Sequence, residues 1–93
     1  MADFLVEVYT PKLDQAALAK LVERLQAAVE AMSAKGSRVR YVRSTHVPED
    51  ETCFHLFESE SAELVREAGR CAGLMFDRVT EAVESVTSEG GAT

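Results

Sequence analysis

Two extended runs on either side of an acidic, proline-bearing turn constrain this chain more than any other feature. Residues 37–46 read S-R-V-R-Y-V-R-S-T-H and residues 52–58 read T-C-F-H-L-F-E, both rich in the β-branched and aromatic types that suit a pleated strand. Between them lies Val47-Pro48-Glu49-Asp50-Glu51, whose proline and acidic side chains favour a turn. The segment reads as an antiparallel hairpin, so the fold must be built around a sheet. Strand alternation sorts the second run by face, with Cys53, His55 and Phe57 on one side and Phe54, Leu56 and Glu58 on the other.

The flanks supply the rest of the architecture. Phe4 to Tyr9, F-L-V-E-V-Y, is a first strand closed by Thr10-Pro11. Asp14 stands where an N-cap belongs, with Leu13 and Leu18 spaced to staple the first turn of a helix. Leu18, Leu21, Val22, Leu25, Val29 and Met32 then recur at helical offsets, opposite Lys20, Glu23, Arg24 and Glu30, until Gly36 ends the element. Ser61 caps a second helix in which Leu64, Val65, Ala68, Cys71 and Ala72 share a face, with Gly73 just past its end. Cys71 is therefore expected to point at the core. Asp77 to Val86 fits both strand and helix periodicity, and architecture decides: a β-α-β-β-α unit still needs a strand to complete its sheet.

The expected fold is α+β, a ferredoxin-like βαββαβ sandwich whose two helices cover one face of a four-stranded antiparallel sheet in spatial order 4-1-3-2. One domain spans residues 1–86, and the small, polar residues 87–93 read as a flexible C-terminal tail. The sheet's second face carries Phe54 and Leu56, so a homodimer that covers it is expected.

Composition bounds the partners. Ninety-three residues support one core, and 46% hydrophobic with 28% charged residues describes an ordinary soluble domain. No apolar run approaches the roughly 18 residues that cross a bilayer, and Met1-Ala2-Asp3-Phe4 lacks the basic flank of a secretory signal, which places the chain in the cytoplasm with no membrane partner. Sixteen acidic against ten basic residues give a net charge of -6, a field that repels nucleic acid. The basic side chains concentrate at Lys35, Arg38, Arg40 and Arg43, on a strand expected at the sheet edge, where charge discourages intermolecular pairing; anion binding is the alternative.

Catalytic signals are sparse. Cys53 and Cys71 form no C-x-x-C pair and read as reduced, buried thiols. Cys53 and His55 share a strand face, but side chains two apart on a strand lie about 7 Å from each other, too far for one to activate the other. No glycine-rich phosphate loop and no catalytic carboxylate pair is present, and Asp77-Arg78 reads as an exposed or interstrand ion pair. The two histidines, His46 and His55, flank a turn bearing Glu49 and Asp50, and imidazole with carboxylate suits borderline divalent metals such as nickel, zinc or copper. Simple pairing about residue 49 sets His46 opposite Thr52 and His55 opposite Arg43, which puts the imidazoles on opposite faces. A one-residue bulge would reverse that.

The strings Ser44-x-x-Val47-x-x-Asp50, Thr52-Cys53-Phe54-x-Leu56-Phe57-Glu58, Arg70-Cys71-Ala72-Gly73 and Asp77-Arg78-Val79-x-Glu81, with the opening F-L-V-E-V-Y, carry a family likeness. Together they resemble a family of small bacterial nickel-binding proteins, formerly a domain of unknown function, with a dimeric ferredoxin-like fold. The resemblance implies that fold, a homodimer and a nickel ion. One branch of the family has a histidine in the first strand, where this chain has Glu7 and Tyr9. The implied ligands here are accordingly His46, His55, Glu49 and Asp50, at the surface, in a non-enzymatic protein serving metal sequestration or tolerance. The competing expectation is a small dimeric enzyme or ligand-binding module with a closed pocket between sheet and helices, holding Tyr9, Tyr41 or His55.

Overall fold

The computed structural model describes residues 1–83 and Ser85; the expected tail and the end of the expected domain at residue 86 lie outside them. The elements run β1 (Ala2–Tyr9), α1 (Gln15–Ala34), β2 (Val39–Val47), β3 (Thr52–Ser59), α2 (Ala62–Ala72) and β4 (Arg78–Ala82), with a single 3-10 turn at Pro48–Asp50 joining β2 to β3. All strand pairings are antiparallel, in the order β2-β3-β1-β4. This is the ferredoxin-like α+β arrangement expected from the sequence.

The local signals act as their chemistry requires. Asp14 Oδ1 accepts a hydrogen bond from the Ala17 amide at 2.8 Å and starts α1, and Ser61 Oγ accepts from the Leu64 amide at 3.3 Å to start α2. Helix α2 ends at Gly73, whose φ of +73° is a left-handed conformation that a Cβ would strain. The α2 terminus is tied to α1 by Arg24, which donates to the Ala72 carbonyl at 2.9 Å and the Gly73 carbonyl at 3.0 Å. The core lies between the helices and one sheet face. Phe4, Val6 and Val8 of β1 and Phe57 of β3 meet Leu21, Leu25, Val29 and Met32 of α1 and Val65, Ala68 and Ala72 of α2.

Three expectations need correction. Cys71 is exposed, because the buried arc of α2 runs through Val65, Ala68, Gly69 and Ala72. The arc is displaced toward Gly69 by the ring of Phe76, which packs so closely that a Cβ at residue 69 would stand 2.7 Å from it. Arg78 pairs across strands with Glu7 at 3.7 Å and not with Asp77, whose carboxylate accepts from the Tyr9 amide at 2.7 Å. The hairpin register is the third.

Between Val39 and Tyr41 the register follows simple pairing: Val39 faces Ser59, Arg40 faces Glu58 and Tyr41 faces Phe57. A bulge at Val42 then shifts it by one residue. Nearer the turn Arg43 faces Leu56, Ser44 faces His55 and His46 faces Cys53. Because side chains alternate, the extra residue moves Ser44 and His46 onto the helix-covered face, where Arg43 and Thr45 would otherwise lie. Both histidines thus sit on one face of the sheet, the opposite of what unbroken pairing gives.

Candidate functional site

The bulge builds a polar seam within the inner face of the hairpin. Tyr41 and Ser44 of β2 share a hydroxyl–hydroxyl hydrogen bond, and Ser44 Oγ lies 2.6 Å from His55 Nδ1. Cys53 is buried two residues from His55 on the same strand face, opposite His46. His55 is 0% exposed, stacked at a tilt against Phe76 with ring centroids 6.3 Å apart. Ser44 fixes the ring through Nδ1 and leaves Nε2 buried with no hydrogen-bond partner among the described residues. His46 Nε2 is in the same condition. Buried polar atoms normally find partners, yet among the described residues three side-chain atoms do not, Thr10 Oγ1 and the two imidazole nitrogens, and the latter two share one face of one hairpin.

Burial sets the charge state of the seam. It pushes the His55 pKa down to about 4, so the ring is neutral at pH 7 and its free nitrogen offers a lone pair whenever Nδ1 carries the proton. The Cys53 thiol is pushed up by burial, partly offset by a hydrogen bond from the Phe54 backbone. Tyr41 is raised by burial, with its bond to Ser44 acting the other way. The seam is therefore a set of neutral donors and acceptors, and neutral imidazole is the form that binds a transition metal.

The four sequence-derived metal ligands do not come together as one cluster. His55 is fully buried, which corrects its expected position at the surface, and His46 is half-buried. His46 borders a groove of ≈ 420 Å³ formed with Leu13, Asp14, Leu18 and Pro48 at the start of α1. Glu49 and Asp50 are exposed on the 3-10 turn. Among the described residues no group of three or more His, Cys, Asp or Glu side chains is gathered to hold a metal ion. What fits nickel is the donor chemistry of the two free imidazole nitrogens, beside a turn whose carboxylates attract cations.

Pocket chemistry is less favoured by the geometry. Tyr41 borders an open groove of ≈ 520 Å³ between α1 and β2, Tyr9 is 61% exposed, and His55 borders none of the grooves described. Ser44 and His55 are close enough for a nucleophile and base, yet among the described residues His55 Nε2 has no hydrogen-bond partner that would orient the ring as a third group. Sequence reasoning did not find Ser44 as the partner of His55, because that contact exists only after the bulge.

The uncovered sheet face is apolar at its centre. Leu5, Phe54 and Leu56 are half-buried there and Val83 is 92% exposed, around a depression of ≈ 210 Å³. No helix of the described residues is long and apolar enough to cross a membrane.

A family model described as "Nickel responsive protein SCO4226-like" matches residues 4–82. Among solved structures, the crystal structure of SCO4226 from Streptomyces coelicolor A3(2) superposes with a TM-score of 0.77, at 24% identity over 91% of this chain and 100% of that one. At that identity the likeness concerns the fold. No curated protein matches the chain.

Proposed function

This chain belongs to the SCO4226-like family of nickel responsive proteins, and on that premise we propose that it binds nickel or a similar divalent transition metal as its cargo, for sequestration or tolerance. The observation that supports this most is the pair of buried, unpartnered Nε2 atoms of His46 and His55, turned to one face by the bulge at Val42. In this reading His46 and His55 supply imidazole nitrogens, and Glu49 and Asp50 on the adjoining turn supply negative charge. Neutral imidazole and carboxylate together form a borderline donor set matched to nickel. Ser44 and Tyr41 hold the His55 ring from behind, as outer-shell partners hold metal-ligating histidines elsewhere.

A cytoplasmic homodimer is part of the same proposal. It is supported by the apolar centre of the uncovered face, where Leu5, Phe54, Leu56 and Val83 have no covering layer among the described residues. Sedimentation at micromolar concentration tests it, and a monomer there removes it.

Calorimetric titration of tag-free protein with nickel tests the metal reading. Saturable heat in the wild type, reduced in His46→Ala and abolished in His46→Ala/His55→Ala, is the expected result. Absence of heat in the wild type, or heat unchanged in both variants, refutes the assignment. Because His55 lies in the core, the single variant and a thermal melt of each protein separate lost binding from lost folding.

A further inference from the structure

Among the described residues strand β2 borders only β3, and its other edge carries no further strand. The Glu60 amide donates to the Arg38 carbonyl at 3.0 Å, which turns the Arg38 backbone toward β3. By antiparallel alternation the N–H and C=O groups of Val39 and Tyr41 then point away from the sheet. Ser33 Oγ already donates to the Val39 carbonyl at 3.1 Å, leaving that oxygen one further lone pair.

The side chains along this edge divide by chemistry. Val39 and Tyr41 turn inward and, with Val29 and Ala34 of α1, form the apolar part of the ≈ 520 Å³ groove that runs beside the strand, whose α1 side also carries Gln26, Glu30 and Ser33. Arg38 and Arg40 are exposed. With Lys35 and Arg43 they put four of the chain's ten basic residues within positions 35–43, in a protein of net charge -6. An edge rich in arginine on a negative protein, with a groove of mixed apolar and polar lining on one side of it, specifies what can pair there, although Arg40 already shares its charge with Glu58.

We propose that the Arg38–Tyr41 edge is a docking site for an extended acidic segment of another protein, which adds to β2 as a fifth strand. Alternation sets its pattern: acidic side chains beside Arg38 and Arg40, aliphatic ones over Val39 and Tyr41 into the groove. Main-chain bonds supply affinity, and the arginines supply selectivity by attracting acidic strands over neutral ones and repelling basic ones. The bulge at Val42 ends the usable edge and fixes the register. A second copy of this chain is the wrong occupant, since antiparallel β2–β2 pairing would set these arginines against one another.

Fluorescence anisotropy with a labelled six-residue peptide alternating glutamate and valine, added to the whole tag-free chain at low salt, tests the proposal. The expected result is saturable binding below about 1 mM, weakened about fivefold by Arg40→Glu and by raised salt, with slowed hydrogen exchange at the Val39 and Tyr41 amides. Arg40 is exposed and its pair with Glu58, 3.2 Å, is a surface one, so the variant should fold; Arg40→Gln, expected to bind between the two, guards against failure. Any of four results overturns the proposal: no saturable binding; equal binding of a lysine–valine peptide; protection at Arg78–Ala82 instead; or protection of Val39 and Tyr41 that rises with protein concentration alone, which would identify a second copy.

Discussion

Acidification should destabilise this protein through His55. The ring is 0% exposed and its pKa falls from the usual 6.5 to about 4 because burial disfavours the charged form. Between those values the unfolded chain binds a proton that the folded chain does not, so stability is complete above pH 6.5 and is lost as pH falls toward 4. The slope over that window is about 1.4 kcal/mol per pH unit from this residue, and the whole interval amounts to about 3 kcal/mol. That is a large share of the roughly 5–15 kcal/mol that holds a domain folded. Urea unfolding at pH 7.5, 6.5, 5.5 and 4.5, on wild type and His55→Gln, isolates the effect, since the other titrating groups are common to both. The stability difference between the two proteins should shrink as pH falls. Parallel curves would refute the reasoning, as would an imidazole NMR titration placing His55 at its ordinary value.

Two further outcomes follow from the packing. Exposed Cys71 should react with a maleimide in the native protein while buried Cys53, its thiol further raised by burial, reacts only on unfolding; peptide mapping by mass spectrometry checks which label appears first. Gly69→Ala should cost about 1–3 kcal/mol because its Cβ meets the Phe76 ring, and Phe76→Leu should recover part of the loss; an unchanged melting temperature in the single variant would show that the ring moves aside freely.

The element order was legible because each boundary carries its own chemistry. Asp14 and Ser61 are caps, Gly73 is a left-handed terminus, and Pro48 opens the turn. The last strand was locally ambiguous, and only the need to complete a sheet beside β1 resolved Arg78–Ala82. What the sequence concealed is the bulge. Val42 is as good a strand residue as Val39, and nothing in R-V-R-Y-V-R-S-T-H marks which residue is left out of the ladder. That one unpaired position decides the face of everything between it and the turn, so His46 and His55 were legible as candidate donors by residue type, while the face they share was not. The position of Cys71 failed for a similar reason: helical spacing gives an apolar arc, but Phe76 arriving after the helix determines which side of that arc is buried.

The register of the hairpin can be read directly from cross-strand backbone contacts in a nuclear Overhauser spectrum of labelled protein. Contacts joining His46 to Cys53 and Ser44 to His55 are predicted, and they would place both imidazoles on the inner face. Contacts joining His46 to Thr52 and Arg43 to His55 would return the histidines to opposite faces and contradict the account.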